Sequence, residues 1–307
     1  MRENNYLSYY DRRTSTVMRD PDYGNTFLSW SYNTRLGRSA TDLLFRQKVV
    51  SRLYGWIHNQ PWSTRKIRSF VRKLNVDMSE SIRHIEDFVS FNDFFTREID
   101  LSKRPVQKDP HVCISPTDGR SLAYPVVEAD MTFRIKAGSF NLRQFLRDNE
   151  LVEKFAGGCM LINRLHLSDY HHFHFPDSGI PGETISIVGK YYAVGPYALR
   201  KLVPFYTENH RMLTLFDSDH FGQIAMVEIG AFTVGSIQQR YHPGIHVPKG
   251  AQKGFFGLGG STVVLLFQPG AIQLDEELCK NTKRELETYV RLGDSIGRMC
   301  ERRRRLP

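Results

Sequence analysis

The stretch Gly257-Leu-Gly-Gly-Ser-Thr-Val-Val-Leu-Leu-Phe267 places two glycines and a serine directly before an unbroken apolar run. Such a run, rich in valine and leucine, is typical of a strand buried on both faces and predicts a strand over Thr262–Phe267. Glycine has no Cβ, so Gly259 and Gly260 can bend the backbone where the strand begins. Ser261 therefore follows a pliable peptide bond and starts a rigid element, a geometry that suits a serine reacting with its own backbone.

Other serine and glycine motifs fit this stretch poorly. A nucleophile elbow requires Gly-x-Ser-x-Gly, and Val263 stands where its second glycine belongs. A phosphate-binding P-loop requires a lysine before the serine or threonine, and none precedes Ser261. The glycine spacing and the loop-then-strand order also differ from a dinucleotide-binding fingerprint. From these residues alone, a simple hairpin turn is the commoner structure.

Four further segments accompany this stretch along the chain. They are Ser90-Phe-Asn-Asp-Phe-Phe-Thr-Arg-Glu98, Ser115-Pro-Thr-Asp-Gly-Arg120, Asp169-Tyr-His-His-Phe-His-Phe-Pro176 and Val227-Glu-Ile-Gly-Ala-Phe-Thr-Val-Gly-Ser236. In this order the five segments resemble the phosphatidylserine decarboxylase family, over nearly the whole chain from Tyr32 to Phe267. The resemblance implies a proenzyme that cuts itself between Gly260 and Ser261 into chains 1–260 and 261–307, which stay associated. It also implies that Ser261 becomes a covalent pyruvoyl group, the only cofactor, and that phosphatidylserine is converted to phosphatidylethanolamine and CO2.

The chemistry of self-cleavage requires an activated serine. A serine hydroxyl is a weak nucleophile, and a histidine oriented by a carboxylate is its usual base. The resemblance implies that Asp118, His174 and Ser261 are the carboxylate, the base and the nucleophile that attacks the Gly260 carbonyl. Attack turns the Gly260–Ser261 peptide into an ester. Loss of the Ser261 α-proton would then expel the Gly260 carboxylate and leave dehydroalanine, and hydrolysis would release ammonia and leave the pyruvoyl ketone. That ketone would form a Schiff base with the substrate amine and act as an electron sink. The resemblance further implies that His171 assists decarboxylation or protonation.

Three histidines within four residues also allow a metal site. His171, His172 and His174, with His166 and Asp169 nearby, could supply ligands. We rank the acid–base interpretation higher and expect no metal, because residues 172 and 174 share one face of a strand while His171 points the other way. The same alternation requires an irregular backbone if His171 and His174 are to share one site. His172 is expected to be solvated surface.

Two motifs have further interpretations. The residues around Asp118, Pro-Thr-Asp-Gly, are also a favourable turn sequence. The segment Lys249-Gly-Ala-Gln-Lys-Gly254 departs from the family pattern, which carries an acid between these glycines. Ala251 and Gln252 take its place, and Lys253 adds a positive charge that could alter headgroup contacts or the rate of self-cleavage.

Composition is that of an ordinary globular protein, with 40% hydrophobic and 24% charged residues in 307. Four cysteines without a Cys-x-x-Cys pair favour a reducing compartment over a disulfide framework. No apolar run reaches the roughly 18 residues of a membrane-spanning helix. The N-terminus lacks the apolar core of a signal peptide. We therefore expect a peripheral protein on the cytoplasmic side of a cell membrane, in a bacterium.

The net charge of +9 is unevenly distributed: ten Lys or Arg and a single acid lie between Arg35 and Asn75. Within that region, residues 39–57 have the periodicity of an amphipathic helix with Trp56 near one end. Such a basic helix favours an anionic membrane surface as partner, although an ordinary helix packed on the core is the commoner outcome. Nucleic acid is a weaker candidate, because no DNA- or RNA-binding motif accompanies the charge.

The chain divides into a helical and a β-rich part. Residues 1–30 are polar and are expected to be poorly ordered or loosely docked, residues 35–100 are expected to be helical with a new helix start after Pro61, and a helix is possible within 275–299. Expected strands are Val112–Ser115, Met131–Ile135, Met160–Leu167, Glu183–Tyr192, Met212–Asp217, Gln223–Val234, Ser236–Gln239 and Thr262–Phe267, interrupted by a helix at Asn141–Asp148. Aromatic residues expected in the core or pocket wall are Phe88, Phe91, Phe94, Phe95, Tyr170, Phe173 and Phe175.

These features predict an α+β fold. A helical, basic, membrane-associating region over residues 1–105 packs on a β-rich, sandwich- or barrel-like decarboxylase domain over residues 106–307. The family resemblance suggests a homodimer. Three other functions stay open: a pyruvoyl enzyme acting on a small amino acid, a lipid-binding homologue that never matures, and a serine hydrolase that keeps the Ser261 hydroxyl.

Overall fold

The computed structural model describes residues 8–20, 53, 55–130, 133–135, 138–189, 205–230, 237–259 and 261–300. Its strands are β1 (Ser8–Asp11), β2 (Thr16–Arg19), β3 (Val112–Ile114), β4 (Gly119–Val127), β5 (Phe133–Ile135), β6 (Gly138–Phe140), β7 (Gly158–Leu165), β8 (His172–His174), β9 (Gly179–Ile187), β10 (Arg211–Ser218), β11 (Gly222–Gly230), β12 (Ile237–Gln239), β13 (Gln252–Phe256), β14 (Ser261–Phe267), β15 (Ile272–Leu274), β16 (Glu287–Val290) and β17 (Ser295–Met299). Its helices are α1 (Ile67–Leu74), α2 (Phe91–Phe95), α3 (Leu142–Leu146), α4 (Asn149–Phe155), α5 (Phe205–Glu208) and α6 (Glu276–Lys283), with short 3-10 turns at Pro61–Lys66, Ile85–Asp87 and Leu101–Lys103.

A nine-stranded sheet organises the molecule, in the order β2-β1-β16-β4-β7-β14-β11-β10-β9. The pairing of β1 with β16 is parallel, and the other pairs in this sheet are antiparallel. The described strand order runs from β2 to β9 without closing on itself, so this sheet is open. The α+β, β-rich fold class is thereby confirmed.

Strand β14 lies inside this sheet, between β7 and β11, and all seven of its residues are buried. Alternate side chains enter two different hydrophobic clusters. Val263, Leu265 and Phe267 join the cluster on one face, whereas Val264 and Leu266 join the other. Burial on both faces explains the unbroken apolar run, because both faces of the strand pack into hydrophobic core. The predicted buried strand is confirmed.

Two smaller sheets and the helices cover the large sheet. One small sheet has the order β12-β13-β8 and another β15-β17-β3, with β5 and β6 forming a separate pair. Helices α3 and α4 contribute Leu142, Phe145 and Phe155 to the cluster that contains Val264 and Leu266. The chain therefore places β8, which carries two of the three clustered histidines, in a small sheet that is distinct from the one containing Ser261.

A third hydrophobic cluster comes from the N-terminal region. It contains Phe70 of α1, Phe88, and Phe91, Phe94 and Phe95 of α2. The phenylalanines pack edge to face, with ring centroids 5.1 Å apart for Phe70 and Phe91 and 5.4 Å for Phe88 and Phe94. These residues form core, as expected from their helical spacing, and a helical start after Pro61 is also confirmed. The division at residues 105 and 106 stays a prediction.

The expectation that residues 1–30 are loosely docked is wrong for residues 8–20. Strand β1 adds to the large sheet beside β16, and Arg12 donates to Asp275 at 2.9 Å and to Glu277 at 2.6 Å. Asp20 is buried and accepts hydrogen bonds from both Arg120 and Arg164. The buried guanidinium groups of Arg120 and Arg164 require carboxylate partners, and this polar segment supplies one such carboxylate, that of Asp20.

Element boundaries differ from the sequence predictions in several places. The strands expected around β3, β5, β7, β9, β10, β11 and β12 exist within the described residues. The strands that were not expected are β1, β2, β4, β6, β8, β13, β15, β16 and β17. The helix expected at Asn141–Asp148 is α3, which ends at Leu146 because Arg147 adopts a left-handed conformation with φ 56°. A second helix, α4, follows it and was not expected; Asp148 caps its first turn. Most of the amphipathic helix expected at 39–57 lies outside the described residues; Leu53 and residues 55–57 are helical.

Candidate active site

Ser261 begins β14 and is almost completely buried, with 1% of its surface exposed. Its backbone is opposite Leu165 of β7 and Gly230 of β11. Its hydroxyl lies 3.5 Å from the carbonyl oxygen of Gly259. Gly259 has φ 154°, a value that residues with a Cβ rarely adopt, so a glycine is required there. Gly260 lies outside the described residues.

The segment before Ser261 is anchored to the N-terminal helical region. Leu258 packs into the phenylalanine cluster of α1 and α2, and its backbone N–H donates to the Asn92 side chain at 3.2 Å. Ser90 caps α2 by accepting from the N–H of Asp93 at 3.1 Å. The Ser90–Glu98 motif therefore fixes the approach of the backbone to Ser261.

The histidine segment follows the alternation of a strand. In β8, His172 and His174 both face Tyr170, with ring centroids 4.6 and 5.8 Å from its ring, while Phe173 faces Phe256 on the other side. His171 precedes the strand and packs on Phe95 at a centroid distance of 3.9 Å. The described contacts thus place His171 and His174 against different neighbours.

The prediction that His172 is solvated surface is wrong, since only 2% of it is exposed. Its Nε2 donates to the Thr96 carbonyl at 3.0 Å, and its Nδ1 accepts from the Gln252 amide at 2.8 Å. Burial lowers the pKa of His172, so the neutral ring is favoured. The residue is a structural link between α2, β8 and β13.

His174 is a neutral base, and the contacts of its ring show which nitrogen is unprotonated. Its Nδ1 lies 2.9 Å from the carbonyl oxygen of Gly250, which can only accept, so Nδ1 carries the proton. Nε2 is therefore the acceptor, and the Tyr170 hydroxyl approaches it at 3.3 Å. Burial lowers the pKa of His174 to about 4. This ring has the tautomer that a general base requires.

His171 has the same tautomer as His174, but its second ring nitrogen has no hydrogen-bond partner among the described residues. Its Nδ1 donates to the Asp169 carbonyl at 2.9 Å, while its buried Nε2 has no hydrogen-bond partner in the described part of the chain. Burial lowers the pKa of His171 to about 3. Without substrate, the Nε2 lone pair is thus available to a hydrogen-bond donor.

Asp118 is a buried carboxylate held by two donors. Arg104 donates to one oxygen at 2.9 Å, and the backbone N–H of Leu292 donates to the other at 2.8 Å. Burial raises the pKa of Asp118, and the charge of Arg104 opposes this effect. The adjacent Thr117 hydroxyl donates to the carbonyl of His172 at 2.9 Å, which ties the Asp118 loop to β8.

The described contacts do not join Asp118, His174 and Ser261 into a continuous hydrogen-bonded chain. Tyr170 is the side chain that interacts with both Asp118 and His174. Its hydroxyl contacts His174, and its pKa is raised first by burial and then by the negative charge of Asp118. The three side chains predicted for self-cleavage are all buried, and Tyr170 connects two of them electrostatically.

Lys253 does not present its charge to solvent. Its ammonium is fully buried 3.0 Å from the Glu228 carboxylate, and it donates to the Gln239 side chain at 2.9 Å. It occupies the bulge where β13 changes register against β8, between Gln252 opposite His174 and Gly254 opposite Phe173. The departure from the family pattern is therefore accommodated by an internal ion pair and by the bond from Gln252 to His172.

Sequence reasoning gave no separate role to Asn92, Thr96 or Arg97, which support this site. Arg97 is buried and donates to the carbonyls of Ser168 at 2.8 Å and Asp169 at 3.3 Å. Burial lowers the pKa of Arg97 to about 10. The sequence signal that could have pointed to Arg97 is its position in the Ser90–Glu98 segment, which resembles the family.

The described residues also bear on metal binding and on membrane insertion. Within them, no group of three or more His, Cys, Asp or Glu side chains is arranged to hold a metal ion. In the same part of the chain, no helix is long and apolar enough to cross a membrane.

The sequence is similar to known proteins over most of its length. The family model described as phosphatidylserine decarboxylase matches residues 91–298. The phosphatidylserine decarboxylase proenzymes of Clostridium beijerinckii and Chlamydia caviae are 39% and 41% identical to this chain, over 95% of it and 98% of each relative. The proenzyme of Desulfitobacterium hafniense strain Y51 is 39% identical over 97% of this chain and 100% of its own length. The similarity thus extends beyond the matched domain into the N-terminal region.

Proposed function

We propose, since this chain belongs to the phosphatidylserine decarboxylase family of carboxy-lyases, that it is a self-cleaving proenzyme that decarboxylates phosphatidylserine to phosphatidylethanolamine. The observation that carries the proposal is Ser261, buried at the start of an internal strand and two residues after Gly259, which has φ 154°. A serine in this position can attack the preceding carbonyl without leaving the core. The cut would fall between Gly260 and Ser261.

His174 is the base in this proposal. Its Nε2 lone pair would accept the proton of the Ser261 hydroxyl once the 3.3 Å contact with Tyr170 opens. Asp118 would act through Tyr170 and the Thr117 link to β8, and would offset positive charge that develops on His174. In this scheme Asp118 is a positioning and electrostatic residue, because its two oxygens are already held by Arg104 and Leu292.

The pyruvoyl group expected from Ser261 would supply the carbonyl that condenses with the substrate amine and accepts the electrons released with CO2. The buried position of residue 261 would exclude water from that carbonyl. His171 offers an unoccupied, buried Nε2 that could hold a proton near the substrate. Its low pKa means that it would first have to gain a proton, which a negatively charged substrate favours.

The two chains of the cut protein should stay together. Residues 261–300 contribute β14 to the interior of the large sheet, β16 between β1 and β4, and both β15 and β17 to a small sheet. These strands pair with β3, β4, β7 and β11 of the longer chain. Separation would break the ladders on both sides of β14 and expose its buried side chains.

An anionic membrane surface is the proposed partner, with peripheral attachment on the cytoplasmic side. Exposed apolar side chains lie beside the basic segment: Leu53, Trp56 and Trp62 have exposures of 55%, 60% and 49%. The last turn of the 3-10 helix Pro61–Lys66 carries Arg65 and Lys66, and the last turn of α1 carries Arg72 and Lys73. Tryptophan beside Lys and Arg suits the interface of an anionic bilayer. The homodimer stays a prediction.

Decarboxylation of different substrates tests the proposal. We expect CO2 release from phosphatidylserine in vesicles, faster when the vesicles carry additional anionic lipid, and no release from free serine or other small amino acids. Activity on a water-soluble amino acid but not on phosphatidylserine would contradict the lipid substrate and indicate a small amino acid instead. Retention on duplex DNA in preference to vesicles would contradict the membrane partner.

The pH dependence of self-cleavage tests His174. The base must be neutral, and a pKa of about 4 leaves it mostly neutral above about pH 5. We therefore expect a constant cleavage rate between about pH 6 and pH 8 and a fall only as the pH approaches 4. His174→Gln should slow cleavage by about a hundred- to ten-thousand-fold. Cell-free synthesis followed by transfer into buffers and intact-mass spectrometry would measure this rate; a midpoint near pH 6.5 would contradict the buried neutral base.

A further inference from the structure

Arg97, two residues after α2, is a buried cation with an unused hydrogen-bond donor. Only 4% of its surface is exposed. Its Nη2 donates to the carbonyls of Ser168 at 2.8 Å and Asp169 at 3.3 Å, whereas its buried Nη1 has no hydrogen-bond partner in the described structure. Buried donors are rarely left unpaired, and an unpaired donor on a charged group is especially costly. This guanidinium therefore lacks an acceptor.

The acidic side chains whose charges act on Arg97 are all paired with other arginines. Asp169 pairs with Arg120, Asp118 with Arg104, and Glu80 with both Arg104 and Arg291. Burial lowers the pKa of Arg97 to about 10, so the group is still positive at neutral pH. A buried positive charge whose acidic neighbours are already engaged favours an anion from outside the chain.

His171 adjoins Arg97 and carries an unused acceptor. Its Nδ1 donates to the same Asp169 carbonyl at 2.9 Å, and its buried Nε2 has no partner among the described residues. Burial, with a smaller contribution from the charge of Arg97, lowers the pKa of His171 to about 3, so Nε2 is unprotonated at neutral pH. Two buried side chains that share one carbonyl thus offer one unpaired donor and one unpaired acceptor.

The backbone places this pair at the end of the large sheet where Ser261 lies. Leu165, the last residue of β7, is opposite Ser261, the first residue of β14. The chain runs on from Leu165 directly into the segment 166–171, which holds both shared carbonyls and His171. The carbonyl of His171 in turn accepts from the N–H of Phe256 at 2.8 Å, in the segment that leads to Ser261.

Hydrophobic packing also joins the pair to the segment before Ser261. The Arg97 guanidinium lies over the ring of Phe94 at 5.2 Å, and the His171 ring packs on Phe95. Both phenylalanines belong to the cluster that contains Leu258. Arg97 and His171 therefore lie on the side of the molecule that holds the candidate active site.

We propose that Arg97 and His171 bind the α-amino carboxylate of the substrate headgroup. Arg97 Nη1 would donate to a carboxylate oxygen, and His171 Nε2 would accept from the amine. An α-amino acid matches the pair because it presents one anionic acceptor and one nitrogen donor on the same carbon. The choice of a lipid headgroup rests on the proposed function, whereas the unpaired donor and acceptor are features of the fold.

Arg97 is a specificity-determining residue in this proposal. Phosphatidylethanolamine has no carboxylate, so the contact with Nη1 would be lost when CO2 leaves. The site would then bind the substrate more tightly than the product. Because the contact is made with the carboxylate before it departs, its removal should act on substrate binding more than on the chemical step.

Kinetics of the matured enzyme test this assignment. Arg97→Met should raise the KM for phosphatidylserine about ten- to a hundred-fold and lower kcat by no more than a few-fold. Arg143→Met is the matched control: it removes an exposed arginine of α3 that pairs with Asp130, and its KM should equal that of the wild type. An unchanged KM, or a fall in kcat without a rise in KM, would indicate a structural role for Arg97 and overturn the proposal.

Direct binding separates this site from the decarboxylase proposal. Glycerophosphoserine and glycerophosphoethanolamine differ by the carboxylate alone and are titrated against the uncut Ser261→Ala protein, with Tm as the readout. We expect greater stabilisation by glycerophosphoserine, a difference that Arg143→Met keeps and Arg97→Met abolishes. That result supports the site even if the wild type decarboxylates nothing. Equal stabilisation by the two compounds, or by neither, would overturn the site.

Arg97→Lys keeps the test decisive if Arg97→Met does not fold. A lysine ammonium retains the positive charge but lacks the planar fork that donates to the backbone carbonyls and to a ligand at once. The difference between the two compounds should therefore narrow. A difference as large as that of the Ser261→Ala parent would overturn the role of Arg97.

Discussion

Ser261→Ala is expected to yield a single uncut chain without decarboxylase activity. Alanine has no hydroxyl to attack the Gly260 carbonyl and cannot become a ketone. The fold should survive, because the lost hydroxyl makes only a 3.5 Å contact with the Gly259 carbonyl at the start of a strand. Intact-mass spectrometry should show two wild-type fragments divided between residues 260 and 261, the smaller beginning with a pyruvoyl mass. Loss of the nucleophile should reduce activity by at least about a thousand-fold.

Ser79→Ala provides the control, since this serine is exposed and begins no strand, and it should be cut like the wild type. Cleavage of the Ser261→Ala protein at the same bond would contradict the role of the hydroxyl. A wild-type chain that stays uncut would favour the lipid-binding homologue. Labelling of Ser261 by a fluorophosphonate would favour a serine hydrolase.

The parts of the fold that follow from local pattern could be predicted. The apolar run after Ser261 predicts a doubly buried strand, and β14 lies inside the large sheet with alternate side chains in two clusters. The helical spacing of Phe91, Phe94 and Phe95 predicts core, and all three are buried. In both cases the decisive information is held within about ten consecutive residues.

Features that depend on distant partners could not be predicted. His172 resembles a surface residue in sequence, but its burial is made possible by Thr96 and Gln252, which lie 76 and 80 residues away. Strand β13 contains a lysine, which argues against a buried strand until its partner Glu228 is known. The docking of residues 8–20 similarly depends on Arg120 and Arg164, which need the carboxylate of Asp20.

The candidate site shows the same division. The family resemblance singled out Asp118, His171, His174 and Ser261 as candidates, and each is buried within the described structure. The sequence does not reveal that the Tyr170 hydroxyl contacts His174 or that burial and then the charge of Asp118 raise the pKa of Tyr170, because both depend on how the loop at Pro116 lies along β8. The 2.7 Å bond from the His174 N–H to the Pro116 carbonyl fixes that arrangement.

The ion pair of Lys253 and Glu228 should have the largest effect on folding stability. Both side chains are fully buried and 3.0 Å apart, so Lys253→Met would leave a buried carboxylate without its cation. Breaking such a pair on one side costs about 3–5 kcal/mol. Replacing both residues by methionine should recover most of that loss, since an apolar pair of similar volume needs no desolvation of charge. Denaturant unfolding in the uncut Ser261→Ala background would give these free energies on a single chain.

The pH dependence of the single variant distinguishes an unpaired charge from a packing defect. Burial already raises the pKa of Glu228, and loss of Lys253 would raise it further in the folded state. The folded variant would then bind a proton that the unfolded chain lacks above about pH 4.3, so its deficit should shrink as the pH falls toward that value. A deficit that is independent of pH, or a double variant as unstable as Lys253→Met, would contradict the electrostatic origin. Lys280→Met, which removes an exposed pair with Glu276, should change stability little at any pH. Because Lys253 occupies the bulge that aligns Gln252 with His174, Lys253→Met in a chain that keeps Ser261 should also cut itself more slowly than Lys280→Met in the same chain.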